Sequence, residues 1–323
     1  MLQSFKPRPW LRNGHVQTFA GALIPRPAES TRLEKVLLSD SDTLELHWVD
    51  STDPEAPTVL LLHGMEGSLD SPYIQGMLQS IKQIGWRGIV MLLRGCQGRI
   101  NALPQCYHAG KTDDLEFTLK HIHIRFPQSK DIFVIGYSLG ANQLLKFLGE
   151  NPQQHLLTAG VAVSIPFCLE GCAQNIHQGF NKVYERRFLK SLKTTVALKL
   201  ERNMEMPVNM QELQAIHSLY DFDNKVTAPL HGFRDAKDYY RQSSCAQFLP
   251  DIKTPTLIVH AEDDPFIPKS SIPNSSQISN SVMLSIQRWG GHVGFVNLPP
   301  FKEPEHWLEK SIPSYLQALD HAR

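Results

Sequence analysis

A serine between two glycines carries the clearest chemical signal in this chain. Gly136, Ser138 and Gly140 belong to the stretch Gly-Tyr-Ser-Leu-Gly, which follows a short apolar run and precedes a segment with helical periodicity. A G-x-S-x-G sequence in that context is typical of a nucleophile elbow, a tight turn that exposes the serine hydroxyl. The N-terminus of the following helix would favour a developing anion near Ser138. A glycine-rich turn with a capping serine is the alternative interpretation.

A serine hydroxyl needs a base to become nucleophilic, and the C-terminal part of the chain offers one. His292 is flanked by glycines and follows the last predicted strand. Asp263 and Asp264 follow an earlier strand, and a carboxylate in this position could orient the imidazole and stabilise its cation. The local sequence does not choose between the two. We predict that Ser138 is the nucleophile and that His292 is the base.

A second glycine-containing loop, His63-Gly64-Met65-Glu66-Gly67, follows the apolar run Thr58–Leu62. In the fold that carries a nucleophile elbow, such a loop and the residue after the nucleophile donate the backbone N–H groups of an oxyanion hole. We therefore predict that the N–H groups of Met65 and Leu139 bind the oxyanion, without a role for their side chains. The alternative is a glycine-rich turn beside a packed histidine.

Short apolar runs alternate with amphipathic stretches along most of the chain, and continuous apolar runs are typical of strands buried on both faces. Eight strands are predicted, at Leu33–Leu38, Leu44–Val49, Thr58–Leu62, Gly88–Leu93, Asp131–Gly136, Gly160–Ser164, Thr256–His260 and Val282–Gln287. Helices are predicted at Pro72–Ile84, Lys111–Phe126 with a capped start at Thr112, Ala141–Leu148, Asn181–Glu201 and Pro304–Leu319. This alternation favours an α/β fold with a mostly parallel eight-stranded sheet.

Residues 166–249 depart from this alternation of strands and helices because they show no strand pattern. We predict one domain over residues 1–323, with a largely helical cap inserted at about 166–249. The helix predicted there has apolar residues at four-residue intervals and basic residues among them. The apolar set is Tyr184, Phe188, Leu192 and Val196, and the basic set is Lys182, Arg186, Arg187, Lys190 and Lys193. Three interpretations remain open: packing on the core, a lid over an acyl chain, and contact with an anionic lipid surface.

The composition is that of an ordinary globular protein, with 41% hydrophobic residues and equal numbers of basic and acidic residues, 32 of each. This balance gives no reason to expect a nucleic-acid partner. Five cysteines without a CxxC pair favour reduced thiols over disulfides or a metal site. The longest apolar stretch, Leu156–Leu169, is interrupted and too short to span a membrane, and no signal peptide is evident. We expect a cytoplasmic protein without cofactor or metal, whose oligomeric state stays open.

Further motifs extend over nearly the whole chain and are more specific than the serine motif. They are Pro9-Trp10-Leu11-Arg12-Asn13-Gly14-His15-Val16-Gln17-Thr18, His63-Gly64-Met65-Glu66-Gly67-Ser68, Arg94-Gly95-Cys96-Gln97-Gly98, Tyr107-His108-Ala109-Gly110, Thr112-Asp113-Asp114, Asp263-Asp264-Pro265-Phe266 and Gly291-His292-Val293-Gly294-Phe295. With these motifs the chain resembles the YheT-type α/β hydrolases, a group related to the eukaryotic medium-chain phospholipase-like hydrolases.

The resemblance implies an α/β-hydrolase fold and esterase-like action on acyl chains, with phospholipid cleavage in some relatives. It also implies that Asp264, directly before Pro265, is the acid of the triad. Together these features predict a serine hydrolase that cleaves small-molecule carboxylic esters of short- to medium-chain acyl groups through Ser138, Asp264 and His292. A thioesterase or acyltransferase with the same triad is one alternative, and a catalytically idle ligand-binding homologue is another.

Two weaker features leave alternatives open. The stretch Asn13–Thr18 could lie at the mouth of the site or belong to an N-terminal arm pinned by hydrogen bonds. Arg94 follows a predicted strand at the end where ligands bind in open α/β sheets, and it could line the pocket or form a structural ion pair. Cys96, close to Arg94, is not expected to act as a second nucleophile.

Overall fold

A single eight-stranded sheet organises the molecule. The computed structural model describes residues 2–300 and 302–321. The strands are β1 Arg32–Leu37, β2 Thr43–Val49, β3 Thr58–Leu62, β4 Arg87–Leu92, β5 Ile132–Tyr137, β6 Ala159–Val163, β7 Thr256–Ala261 and β8 Val282–Gln287. Their order is β1-β2-β4-β3-β5-β6-β7-β8; β2 is antiparallel to β1 and β4, and all other neighbours are parallel. A short antiparallel pair, β9 Val296–Asn297 and β10 Glu305–His306, lies outside this sheet.

Helices follow most of the strands and cover both faces of the sheet. They are α1 Gly14–Leu23, α2 Pro72–Gln83, α3 Asp113–Arg125, α4 Leu139–Glu150, α5 Leu169–Ile176, α6 Lys182–Glu201, α7 Met210–Gln214, α8 Leu219–Phe222, α9 Ala228–Leu230, α10 Ala236–Ser243 and α11 Trp307–Asp320. In the part of the chain that the structure describes, no helix combines the length and apolarity needed to cross a membrane.

The continuous apolar run in β3 shows why the sheet is buried on both faces. Successive side chains of a strand point to opposite faces. Val59 and Leu61 join one core with α2 and α11, whereas Leu60 and Leu62 join the other core with α3 and α4. All four side chains are fully buried. The strand can therefore be apolar at every position, as in other parallel sheets covered by helices.

The predicted α/β fold is confirmed, and each predicted strand lies within one residue of the observed strand at both ends. The helix predictions were less accurate. Helix α1 was not predicted, and α4 begins at Leu139 rather than at Ala141, which places Ser138 at its N-cap. Thr112 precedes α3 but makes no side-chain capping hydrogen bond, because its backbone is already helical there. The last helix begins at Trp307 rather than at Pro304, since β10 occupies the intervening residues.

The chain between β6 and β7 forms helices α5 to α10. Residues 166–249, all of which the structure describes, contain no strand. Helix α6 is the longest of this group. Its Tyr184 and Val196 side chains are buried in the core, whereas Lys182, Arg186, Arg187 and Lys190 are exposed. This arrangement supports packing of the apolar face on the core, and contact of the basic face with lipid stays a prediction.

Candidate active site

Ser138 lies in the sharp turn between β5 and α4. Its φ of +52° and ψ of −116° are unusual for a side-chain-bearing residue, and such a backbone costs about 1–3 kcal/mol. Glycines make the turn possible: a Cβ on Gly136 would lie 2.6 Å from the Gly140 carbonyl oxygen, and one on Gly140 would lie 2.6 Å from that of Leu62. The turn therefore has the backbone that the sequence motif predicted.

The structure brings Ser138, His292 and Asp264 together from three separate loops. His292 Nε2 lies 2.9 Å from Ser138 Oγ, and His292 Nδ1 lies 2.8 Å from Asp264 Oδ2. The Asp264 side chain is fully buried, and its second oxygen accepts the N–H of Phe266 at 2.9 Å. This geometry allows the imidazole to take the serine proton while the carboxylate stabilises the resulting cation.

Asp263, the neighbour of Asp264, has a different partner. Its Oδ1 accepts the N–H of Gly291 at 2.9 Å, next to His292 in sequence. Its Oδ2 is buried without a partner among the described residues. Burial raises the pKa of the Asp263 carboxyl. The two aspartates thus divide two tasks: one contacts the imidazole and the other holds the loop that carries it.

Helix α1 lies against the His292 loop and fixes its backbone. Thr18 Oγ1 accepts the N–H of His292 at 2.9 Å and donates to the carbonyl oxygen of Gly14 at 2.7 Å. Gln17 accepts the N–H of Val296 and donates to its carbonyl. The Asn13–Thr18 stretch is therefore pinned by hydrogen bonds, and these bonds position the candidate base.

The loop after β3 lies next to Ser138. A Cβ on Gly64 would lie 3.1 Å from the Ser138 Cβ. The N–H of Gly64 donates to the Tyr73 hydroxyl at 3.0 Å, and the N–H of Glu66 donates to the Tyr107 hydroxyl at 3.0 Å. The N–H of Met65, between them, has no acceptor among residues 2–300 and 302–321, nor has that of Leu139. Both residues line the cavity that contains Ser138.

His63 holds this loop and does not face the substrate cavity. Its Nε2 accepts the N–H of Leu93 at 3.1 Å, so the ring proton is on Nδ1, which donates to the Gly64 carbonyl oxygen at 2.7 Å. Burial lowers the pKa of His63 to about 4. The ring is therefore neutral near pH 7, and its two hydrogen bonds connect the loop to the end of β4.

A cavity of about 140 Å³ extends from Ser138 under the helices between β6 and β7. Phe188, Leu192 and Val196 of α6 form part of its mostly apolar wall. The Phe266 ring lies 4.2 Å from the His292 ring, centre to centre, and also lines the cavity. The apolar face of α6 therefore packs on the core and lines the cavity at once.

Arg94 proves to be a buried ion-pair centre at the edge of the cavity. Its Nε and Nη2 donate to the two carboxylate oxygens of Asp114 at 2.8 and 2.6 Å, and Nη1 pairs with Asp40. With three donors engaged, the guanidinium has a structural role, although the residue also lines the cavity. Burial raises the pKa of the Cys96 thiol well above its usual range, which keeps it protonated and weakly nucleophilic.

Several residues around the site were not predicted from the sequence. Tyr73 and Ser164 lie outside the motifs; Ser164 accepts the N–H of Val293 at 3.0 Å. Tyr107 and Thr18 do lie in motifs, but no pattern there assigned them a partner. The only available signal was their membership of those motifs, because each contact depends on how distant loops meet.

Comparison with known proteins agrees with this fold. Residues 57–297 match the family described as the alpha/beta hydrolase fold. YheT, a candidate esterase of Escherichia coli (strain K12), is 36% identical over 323 residues, which cover 99% of this chain and 94% of YheT. The chain belongs to the YheT group of α/β hydrolases. The resemblance stated from the sequence motifs is thus confirmed.

Other α/β hydrolases are more distant from this YheT-group chain. The human phospholipase ABHD3 is 27% identical over 326 residues, covering 98% of this chain and 79% of ABHD3. The solved esterase Pf2001 of Pyrococcus furiosus is 16% identical and superposes with a TM-score of 0.57, over 91% of this chain and 98% of the esterase. At that identity the second similarity supports the fold alone.

Proposed function

We propose that this α/β hydrolase cleaves carboxylic esters of short- to medium-chain acyl groups through an acyl-enzyme on Ser138. One observation carries the proposal: the hydrogen-bonded chain from Ser138 Oγ through both nitrogens of His292 to Asp264, with distances of 2.9 and 2.8 Å. The family and its relatives support a hydrolase of the esterase and lipase kind. An apolar cavity beside the serine supports an acyl substrate.

In the proposed reaction, His292 takes the proton of the Ser138 hydroxyl while Oγ attacks the ester carbonyl carbon. The N–H groups of Met65 and Leu139 donate to the oxyanion of the tetrahedral intermediate. The imidazolium then gives its proton to the leaving alcohol oxygen, which leaves an acyl group on Ser138. Water, deprotonated by His292, attacks this acyl-enzyme; collapse releases the carboxylic acid and restores the serine hydroxyl.

Hydrolysis of p-nitrophenyl esters, from acetate to dodecanoate, tests this proposal. We expect kcat/KM to pass through a maximum at one acyl length. Ser138→Ala should lower kcat by several orders of magnitude, leaving the contribution of the oxyanion hole and binding. Ser314→Ala, a change at an exposed serine of α11, is the matched control and should keep full activity. Activity close to wild type in Ser138→Ala would refute the proposed nucleophile.

Absence of ester turnover in the wild type would also count against the proposal, and two measurements then separate the alternatives. Serine-dependent turnover of acyl-CoA substrates, or acyl transfer to an added alcohol, would identify a thioesterase or acyltransferase. Failure of Ser138 to react with a fluorophosphonate probe in the folded protein would instead identify an idle binding site.

A further inference from the structure

The cavity that contains Ser138 is mostly apolar, but a pair of histidines also lines it. The rings of His108 and His231 lie 4.4 Å apart, centre to centre. His108 precedes α3, and His231 directly follows α9. Phe233 and Tyr239 pack edge-on against His108 at 5.5 and 5.7 Å. The pair therefore lies at a fixed place in the cavity wall and belongs to none of the catalytic loops described above.

The hydrogen bonds of the pair are incomplete. The backbone N–H of Gly110 donates to His108 Nδ1 at 3.2 Å, so a neutral His108 carries its proton on Nε2. Within residues 2–300 and 302–321, neither this Nε2 nor any ring nitrogen of His231 has a hydrogen-bond partner. Both residues are partly buried, and these nitrogens remain accessible, so they can pair with a polar group of a bound molecule.

Both rings are neutral near pH 7. Burial, together with the nearby cations Lys111, Lys199 and Arg94, lowers the pKa of His231 to about 4. Burial also lowers the pKa of His108 well below its usual range. A neutral imidazole has one donor and one acceptor. The pair therefore offers the N–H of His108 together with one donor and one acceptor on His231.

We propose that His108 and His231 bind a hydroxyl group of the substrate, at a position away from the ester bond. A hydroxyl can accept the His108 Nε2–H and donate to the unprotonated nitrogen of His231, so that one group pairs with one nitrogen of each ring. The inference rests on the proposed esterase function and names its substrate class as esters with a hydroxylated chain. An unsubstituted hydrocarbon chain would leave the two imidazoles unpaired in an apolar cavity.

Asp223 also lines the cavity, but each of its carboxylate oxygens already accepts a hydrogen bond. Its Oδ1 accepts the hydroxyl of Thr227 and its Oδ2 accepts that of Tyr240, both at 2.7 Å. Both carboxylate oxygens of Asp223 therefore have partners within the protein, unlike the free nitrogens of the histidine pair.

The first experiment moves one hydroxyl, carbon by carbon, along the acyl chain of p-nitrophenyl octanoate and decanoate. We expect one position to raise kcat/KM roughly tenfold over the unsubstituted ester, the value of one to two net hydrogen bonds. His108→Phe and His231→Phe, which keep a ring of similar size, should abolish this preference, measured in each variant as the ratio of kcat/KM for the hydroxylated and the unsubstituted ester. His155→Phe, at an exposed histidine, is the matched control and should retain the preference.

The second experiment measures binding without turnover. Isothermal titration of the Ser138→Ala variant with alkanediols and with 1-alkanols of equal length, from hexane to dodecane chains, should show tighter binding of one diol, lost in both histidine variants. Equal affinity for diol and alkanol at every length would overturn the inference. So would a hydroxyl preference in turnover that survives both histidine substitutions. A diol preference in an enzyme inert to every ester would refute the esterase function and leave the hydroxyl site intact.

Discussion

Of three consecutive backbone N–H groups in the loop after β3, two have a hydrogen-bond acceptor and one has none among the described residues. Tyrosine hydroxyls accept the first and the third, from Gly64 and Glu66, and the N–H of Met65 between them stays free for the proposed oxyanion. Tyr107 also donates to the Glu66 carboxylate at 2.7 Å. The two tyrosines thus hold the peptide groups on either side of the Met65 N–H and would orient it toward the proposed oxyanion.

Tyr107→Phe should therefore reduce kcat about tenfold with little change in KM, because it loosens a donor that acts in the transition state. Inhibition by an alkyl boronic acid, which mimics the tetrahedral intermediate, should weaken in parallel. Tyr220→Phe is the matched control and should change neither value. A higher KM with an unchanged kcat would show that Tyr107 contributes to substrate binding instead.

The two adjacent aspartates give a paired test. Asp264→Asn should lower kcat by about four orders of magnitude, because an amide at this position no longer favours the required imidazole tautomer. Asp263→Asn should cost far less, since an amide oxygen can still accept the Gly291 N–H. Steady-state kinetics of both variants decides between the two carboxylates. Equal losses would contradict the division of tasks described here.

At the scale of elements, α1 is the support of the His292 loop. A Cβ on Gly21 would lie 2.7 Å from the Gly294 Cα and 3.0 Å from the Val293 carbonyl oxygen. This close approach explains why a glycine, a poor helix former, stands inside a helix.

Gly21→Ala should lower both stability and kcat. Alanine gains about 1 kcal/mol of helix propensity, but overpacking against the loop costs about 1–3 kcal/mol and displaces the candidate base. Ala22→Gly, at an exposed position of the same helix, loses about 1 kcal/mol of propensity without touching the loop. In Gly21→Ala, both the free energy of unfolding, measured with urea, and kcat should therefore fall. In Ala22→Gly, only the free energy of unfolding should fall.

Helix α1 is an element that could not be predicted from the sequence. The strands could be predicted because burial on both faces leaves a continuous apolar run in the sequence. The stretch that forms α1 carries two glycines and few strong helix formers, and its helix depends on packing against residues 290–296. Helices α7, α8 and α10 begin at N-cap residues, Asn209, Ser218 and Asp235, but they are too short to show a clear helical period in the sequence. Similarly, the turn after β7 decides which aspartate meets His292, and only the family resemblance selected Asp264.

Over the whole molecule, buried histidines link stability to pH. Burial lowers the pKa of His63, His231, His260 and His306, each to about 4. Both ring nitrogens of His260 lack a partner among the described residues. Below the ordinary value of 6.5, the unfolded chain binds protons at these sites and the native protein does not. Stability is therefore lost as the pH falls from about 6.5 to 4.

The loss should reach about 1.4 kcal/mol per pH unit for each of the fully buried His63 and His260. Burial raises the pKa of Asp223 to about 6. Below this pH the native state binds a proton at Asp223 that the unfolded chain does not bind until lower pH, and this offsets part of the stability loss. Urea unfolding at pH 7 and pH 5 measures the net effect. His260→Leu should reduce the slope of the free energy of unfolding against pH by the contribution of one proton. An unchanged slope would contradict the assignment to His260.

The hydrogen bond from His292 to Thr18 joins residues 274 positions apart, and it has a consequence for synthesis on the ribosome. At about 5–20 residues per second, α1 emerges on the order of tens of seconds before the loop that holds it. Helix α1 can pack against α2 early, but its hydrogen bond to the His292 loop must wait until that loop has been made. The proposed triad can be assembled only after His292 has emerged, so a nascent chain that ends before this loop is inactive.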